Sequence, residues 1–401
     1  MRVTAIDPPA TASAVAPNLV VAGDAVLATW LEPTGSSASA GGPASAGAPS
    51  AAGTSRASHR LRFARLEADG WARPVTITEG ARIVASWADM PSVAMQADGV
   101  LVAHWAEQPA AAQGEGYDVV LARSVDGGAT WRRIGTPHRD GAAAEHGFVS
   151  LVPDGDAVLA LWLDGRTPGA TALRAARVGA ALGMEQIIDE RVCDCCSTAA
   201  AATPVGPVVV YRDRDADELR DLASARRAGE AWSTPRPVHA DGWQIAGCPV
   251  NGPAVAAAGS ELATAWYTGA GLPRVLVAFS GDAGVTFEPP IEVDAPRGAR
   301  APLGRVDVVV DRPGEVLVSW LAAERESGRL LVRRIARDRR RGAEFEVTTV
   351  AASRASGAPR MERLGDDAVL AWTDAPARTI RAVRFPRGAV PAASVQPAPA
   401  P

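Results

Sequence analysis

Seven times along the chain a small or polar residue is followed by a run of aliphatic or β-branched residues that ends at or beside an aromatic or long polar one. The copies are Asp24–Leu31, Gly99–Ala106, Asp156–Leu163, Gly206–Asp213, Glu261–Thr268, Glu315–Ala322 and Asp367–Asp374. Runs of this length and composition predict β-strands. Further short alternating segments flank each of them. Pro91–Met95, Gly147–Val152 and Arg305–Val310 precede a marked strand, and Asp118–Ala122, Arg274–Phe279 and Arg378–Phe385 follow one.

The spacing of the marked strands turns this list into an architecture. From Trp105 onward the aromatic positions (Trp105, Trp162, Tyr211, Trp266, Trp320, Trp372) are 49 to 57 residues apart. The interval from Trp30 to Trp105 is 75, and it returns to about 50 once residues 33–58, almost entirely Gly, Ala, Ser, Pro and Thr, are set aside. A period near 50 with several short strands per unit predicts an all-β propeller of four-stranded antiparallel blades. Seven blades are favoured, with six as the alternative. The seventh unit lacks an outer strand, and Val3–Ile6 is placed to supply it and close the ring, leaving no edge unpaired. The chain is therefore read as one propeller domain, 1–390, with residues 33–58 as a disordered insert and 391–401 as a disordered tail, since such compositions bury too little apolar surface to offset chain entropy.

Two octapeptides 156 residues apart follow one rule: Ser124, Asp126, Gly128, Thr130 and Trp131 in the first, Ser280, Asp282, Gly284, Thr286 and Phe287 in the second. Each follows a predicted strand. The Asp can accept hydrogen bonds from the turn backbone, the Gly can take a positive φ, and the aromatic ring can pin the turn to the sheet. The pattern resembles the Asp box of the sialidase-like, BNR-repeat β-propellers. In that family the box is a structural turn at the blade periphery, so it speaks for the fold and not for chemistry. The Cys-Asp-Cys-Cys run described below resembles a feature of a bacterial subgroup within that superfamily.

Composition narrows the remaining choices. With 41 basic and 45 acidic residues the net charge is −4, which argues against a nucleic-acid surface. No apolar run reaches 18 residues, so no membrane span is expected. Met1–Thr4 lacks the apolar run of a secretion signal, so either the protein is cytoplasmic or its signal lies outside this sequence, while four cysteines suit an oxidising compartment. The expectation is a monomeric periplasmic or extracellular protein, with the cytoplasm as the alternative.

In a propeller the loops that enter the inner strands and those that leave the second strands share one face around the channel mouth, and polar residues there are the candidates for chemistry. The densest pairing is Cys193, Cys195 and Cys196 with Cys248, in segments that lead into the inner strands of adjacent blades four and five. Three readings compete. The first is a pair of disulfides, with Cys248 joined to Cys195 or Cys196 and Cys193 to the other. The second is a thiolate metal site, although the spacing differs from a zinc knuckle. The third is a reactive thiol whose pKa is lowered by neighbouring arginine. No other cofactor is expected.

A second dense stretch, Tyr211 to Asp221, brings Arg212, Asp213 and Arg214 into a place where the other repeats are mostly apolar. Charges so placed need partners. Resemblance to the sialidases implies three arginines from different blades around a substrate carboxylate, a tyrosine nucleophile activated by Glu, and an Asp acid/base. Arg212, Arg305 and Arg360 approximate such a cluster here, with Asp89, Asp213 and Asp307 as acids and Tyr211, Tyr267 and Glu362 as the nucleophile pair. Arg214 and Asn251 extend the binding set, and Trp87 and Trp243 are placed to stack on a sugar ring. The resemblance departs from the enzymes at Arg82-Ile83-Val84, which keeps their Arg-Ile but not the following Pro, and in favouring seven blades where sialidases have six.

Two functional readings follow. One is a propeller acting on or binding acidic glycans at an Arg-rich mouth, with exo-glycosidase activity as its enzymatic form. The other is a non-hydrolytic exported propeller whose cysteines bind metal, perform thiol chemistry or staple an interaction platform.

Overall fold

The computed structural model describes residues 3–34, 57–109, 116–325 and 327–394. Its strands form seven separate antiparallel sheets, each running from an inner strand to an outer one. The main strands of blade I are Val15–Ala22, Ala25–Thr34, Ser58–Glu67 and Val75–Gly80, with the short Gly70–Trp71 also paired to Ser58–Glu67, and those of blade II are Ser92–Met95, Leu101–Glu107, Asp118–Ser124 and Arg132–Gly135. Blade III comprises His146–Asp154, Ala157–Thr167, Ala170–Val178 and Gln186–Val192, and blade IV Ala199–Ala201, Val208–Arg212, Leu222–Ala228 and Arg236–His239, with the short Ala231–Trp232 also paired to Leu222–Ala228. Blade V is built from Ala254–Ala258, Glu261–Thr268, Arg274–Ser280 and Ile291–Asp294, and blade VI from Arg300–Arg312, Glu315–Glu324, Ser327–Ala336 and Phe345–Ala351. Blade VII takes Arg360–Leu364, Asp367–Asp374 and Thr379–Pro386 from the end of the chain and Thr4–Ala5 from its beginning. The ring therefore closes as expected, with Thr4 opposite Arg384 and Ala5 opposite Val383.

The second strands are apolar on both faces because each is sandwiched between two neighbouring blades. In blade IV every residue of Val208–Arg212 is buried. The core consequently lies between sheets. Val275 and Val277 of blade V pack with Val316, Val318 and Trp320 of blade VI, and Trp30 of blade I packs with Val369 and Ala371 of blade VII across the closure.

Each buried indole needs an acceptor, and the blades supply one in two ways. In blades I to III it stands two residues further along the same strand: Trp30 donates to Glu32 (2.8 Å), Trp105 to Glu107 (3.1 Å) and Trp162 to Asp164 (2.8 Å). In blades IV to VI the acceptor of the corresponding ring comes from the preceding blade. Tyr211 donates to Asp189 (2.6 Å), Trp266 to Asp241 (2.7 Å) and Trp320 to Asp294 (2.8 Å).

The two octapeptides fold alike at the connection between third and outer strands. Ser280 Oγ donates to Asp282 Oδ1 (2.8 Å) and accepts from the Gly284 N–H (2.9 Å), while Thr286 gives its N–H and hydroxyl to the two Asp282 oxygens (2.9 and 2.6 Å). Ser124, Asp126, Gly128 and Thr130 repeat each of these bonds. Gly128 has φ +96°, and a Cβ there would stand 2.3 Å from the Phe63 ring. Trp131 meets that same ring edge-on at 5.7 Å. Burial opposes ionisation of Asp282, but the bonds from Thr286, Ser280 and Val285 prevail and hold its carboxyl down at about 2. Because the folded pKa lies below the ordinary value of about 3.9, the turn stabilises the protein above about pH 4 and loses that contribution as pH falls toward 2. Asp282→Ala should lower Tm by about 2 °C at pH 7, with the difference from wild type vanishing near pH 2 in thermal melts.

Two boundaries differ from expectation. Pro33, Thr34 and Ser58 belong to the blade I ladder, paired as Pro33 with His59 and Thr34 with Ser58. Backbone pairing needs no apolar side chain, so the ladder outruns the apolar pattern; residues 35–56, the rest of the expected insert, lie outside the described residues. At the other end Ser394 and Arg341 exchange backbone hydrogen bonds (3.2 and 3.3 Å), and Ala393 is buried. Pro391–Ser394 thus ride on blade VI, and only residues 395–401 of the expected tail lie outside the described residues.

Candidate functional site

In blades of this topology the connections between strands two and three, and those from each outer strand to the next inner strand, emerge on one face. The inner strands beneath that face enclose a cavity of about 140 Å³, and Asp89, Asp307, Arg360 and Glu362 all line it. Asp89 lies in the loop before blade II, three residues ahead of Ser92, Asp307 lies on the inner strand of blade VI, and Arg360 and Glu362 are alternate residues of the blade VII inner strand, so both face the channel. Asp307 accepts from the N–H groups of Val308 (2.9 Å) and Met361 (2.8 Å), tying blade VI to blade VII.

Burial pushes the carboxyl groups up. Glu362 reaches about 8, chiefly through desolvation and then through the charge of Asp307 beside it. Asp307 is also raised by burial, against the pull of Arg360 and two backbone donors. Asp89 rises to about 6 for the same first reason, moderated by the Phe148 N–H and the Tyr117 hydroxyl. At pH 7 Glu362 therefore carries its proton while Asp89 is mostly ionised. Gly147 makes room for this arrangement, since a Cβ there would stand 2.3 Å from Asp89 Oδ2 and 2.6 Å from the Tyr117 ring.

The other arginines are engaged differently from what the sequence suggests. Arg212 is buried, and its guanidinium donates to three backbone carbonyls: Asn251 (3.1 Å), Arg220 (2.6 Å) and Tyr267 (2.7 Å). Its central carbon lies 4.7 Å from the centre of the Trp243 ring, which in turn meets Tyr267 edge-on. Arg305 sits 4.8 Å over Trp87 and gives Nη1 to the carbonyls of Ser353, Arg354 and Gly357 (3.3, 3.1 and 2.7 Å). Burial and the nearby Arg354 lower it to about 10, which leaves it charged at neutral pH. Asn251 joins these two assemblies, its Oδ1 accepting from the Arg305 N–H (2.9 Å). Arg214 is paired with Glu218 (2.7 Å). Both ring-stacking positions expected to meet a sugar, Trp87 and Trp243, are thus covered by guanidinium groups.

Tyr211 does not meet Glu362. It occupies the core position of the blade IV indole, its hydroxyl bonded to Asp189, and burial holds its pKa far up. Asp213 lies beside it, raised to about 6 by burial and by neighbouring carboxylates, and it accepts from the Arg214 N–H (2.7 Å). Neither lines the channel cavity. The tyrosine whose hydroxyl meets a channel acid is Tyr117, facing Asp89. Its place on the connection between strands two and three of blade II, on the mouth face, is the signal that would have found it.

The cysteines converge as expected. Cys195 and Cys248 form a disulfide with Cα atoms 6.0 Å apart, joining the loops that enter blades IV and V. Cys193 and Cys196 are buried free thiols, so the second disulfide is not formed. Their sulfurs are 3.0 Å apart, and Cys193 Sγ is 3.9 Å from Cys195 Sγ. Buried Arg220 places Nη1 3.2 Å from Cys193 Sγ. The two loops touch because residue 252 is glycine; a Cβ there would stand 2.1 Å from the Ser197 carbonyl oxygen. Arg220 was hidden in the charged run after Tyr211. The signal is Leu219, the one large apolar side chain amid that run's charges, which marks where the chain turns inward to bridge Gln244.

No family model matches the chain, and no curated protein matches it. Solved structures similar to it include a Dyadobacter fermentans protein of unknown function, at 12% identity over 96% of this chain and 99% of that one, with a TM-score of 0.53. They also include a mutant of NanB sialidase from Streptococcus pneumoniae, at 9% identity over 94% and 68% of the two chains (TM-score 0.45). A third is a mutant α-L-arabinofuranosidase from Fusarium graminearum, at 13% identity over 75% and 94% (TM-score 0.47). The first aligns over nearly the full length of both chains, and the two octapeptide turns add the periphery. The chain has a seven-bladed β-propeller fold. At these identities the likeness extends to the fold alone, and the chemistry of this propeller rests on its own residues.

Proposed function

We propose that the propeller acts on a glycan at the mouth of its channel, with Glu362 as general acid and Asp89 as the ionised partner. The observation that carries this reading is the contrast within one cavity between Glu362, which holds its proton at pH 7, and Asp89, which is mostly ionised there. Glycoside cleavage uses such a pair, one group to protonate the leaving oxygen and the other to serve as base or nucleophile. The reading differs from an Arg-rich acidic-glycan site. Arg360 is the guanidinium that lines the cavity, and three carboxyl groups share it. An acid-rich lining favours a neutral sugar over an anionic one.

The test is a panel of neutral and acidic aryl glycosides, with turnover and thermal shift measured for each. A neutral substrate should be turned over with a bell-shaped pH dependence between about 6 and about 8, the limbs set by Asp89 and Glu362. Glu362→Gln should reduce kcat by about 100-fold or more while leaving ligand-induced stabilisation in place. Turnover of sialosides alone would sink the neutral-sugar reading, and absence of both turnover and thermal shift across the panel would sink the glycan reading as a whole.

A further inference from the structure

A staple between two blades needs two cysteines, and Cys195–Cys248 already supplies them. Cys193 and Cys196 add a dithiol packed directly against that disulfide, with a buried guanidinium aimed at one sulfur. The four groups are graded in depth: Cys193 and Cys196 are each 1% exposed, Cys195 is 9% exposed, and Cys248 lies at the surface. They are also graded in charge. The hydrogen bond from Cys196 and the Arg220 guanidinium together outweigh burial and bring Cys193 down to about 6, whereas burial pushes Cys196 well up. Arg220 is itself held in place by Glu218 (2.8 Å) and Asp194 (3.3 Å).

We propose that the four cysteines form a thiol–disulfide relay, in which the buried Cys193–Cys196 dithiol passes an electron pair through the Cys195–Cys248 disulfide to an external disulfide at Cys248. The site is separate from the channel carboxylates and does not depend on the glycan reading. In the first step the Cys193 thiolate attacks Cys195 Sγ, the Cys193–Cys195 bond forms, and Cys248 leaves as a thiolate. The attacking sulfur starts in contact with its target, and each exchange conserves charge and bond count. Cys248 then attacks an external R–S–S–R, forming a mixed disulfide and releasing one RS⁻, which takes up the proton given up by Cys196. The Cys196 thiolate attacks Cys193, forming Cys193–Cys196 and freeing Cys195. Cys195 attacks Cys248, restores the original disulfide and expels the second RS⁻, protonated from water. The balance is one dithiol oxidised and one external disulfide reduced to two thiols. A dithiol reductant returns the centre by the reverse exchange.

Arg220 is a positioning residue here, acting through the charge of Cys193.

The relay is tested on the full chain with glutathione disulfide as probe, by acid quench, maleimide alkylation, intact mass and peptide mapping. Wild type should release two glutathiones per chain and become two hydrogens lighter, with Cys193 joined to Cys196. Cys248→Ser should slow that release by about 100-fold, and Cys195→Ser should accumulate a glutathione adduct at Cys248. Arg220→Gln should move the pH of half-maximal rate upward from about 6, with Arg220→Lys restoring most of the shift. Three results overturn the relay: a wild-type dithiol left intact by the probe, a Cys248→Ser protein oxidised as fast as wild type, or purified protein holding a metal ion with all four thiols free. Circular dichroism of each variant separates a lost relay from a lost fold.

Discussion

Deleting residues 1–10 should lower Tm by about 10 °C or more, although the segment is a small part of the chain and its two strand residues are exposed. Thr4–Ala5 is the outer strand of blade VII, and its loss leaves the edge of Thr379–Pro386 unpaired. The bonds beyond the strand matter as much. Ile6 donates its N–H to the Ala382 carbonyl (2.9 Å), and Asp7 accepts from the Ala382 N–H (3.0 Å) and from Arg381 (2.7 Å). Trp71 of blade I donates its indole N–H to the Ile6 carbonyl (2.6 Å), so the segment clasps the first blade to the last. Ile6 and Ala10 pack on the core that spans those blades. In a closed ring every blade has two neighbours, and opening one junction exposes apolar faces on both sides of it. Thermal melts by circular dichroism read the effect; an unchanged Tm would mean that the junction between blades I and VII holds through its inner strands alone. Asp7→Ala, which removes only the side-chain bonds, should produce a small fraction of the shift.

That closure was legible in the sequence because its cause is local. A seventh unit short of one strand and an N-terminal apolar tetrapeptide are both visible without partners. The marked strands were legible for a similar reason, since burial on two faces erases the polar alternation and leaves a continuous apolar run that needs no context to be seen. The indole acceptors were half legible. Glu32, Glu107 and Asp164 follow their tryptophans by two residues, whereas Asp241 and Asp294 lie 25 and 26 residues before theirs on the preceding blade.

The candidate site was much less legible. A sequence distinguishes arginine from other residues but not an arginine that meets a ligand from one that clamps carbonyls. The three carbonyls held by Arg212 lie 39, 8 and 55 residues away. Likewise Asp89, Asp307 and Glu362 were found by their place on the mouth face or inner strands, while their raised pKa values depend on burial that only the closed ring creates. The cysteines stand between these cases. Their convergence followed from the repeat, yet which of them are paired depends on glycine-sized contacts such as that of Gly252 with Ser197.

Arg212→Ala should destabilise the protein by about 4 kcal/mol, an effect that separates a structural arginine from a ligand-binding one. Each carbonyl that Arg212 holds belongs to a different segment: Asn251 to the Cys248 loop, Arg220 to the charged run, and Tyr267 to the blade V second strand. Removing the guanidinium leaves three acceptors facing a void beside Trp243 and withdraws the cation from that ring. Arg212→Lys should recover little, because one ammonium cannot span three divergent carbonyls. Arg212→Met, which retains the stem, should recover the packing but not the bonds. Urea denaturation measures all three. A wild-type midpoint for Arg212→Ala would show that the carbonyls find other donors, and it would return Arg212 to the set available for an anionic ligand. The expected loss has a second consequence at the cysteines. Asn251 anchors the segment that carries Cys248 three residues earlier, so loosening it frees that loop from Ser197 and raises the reactivity of the Cys195–Cys248 disulfide toward external thiols. Faster reduction of that bond in Arg212→Met, measured below the unfolding midpoint, would show that the arginine which the sequence places to hold a substrate instead holds the relay shut.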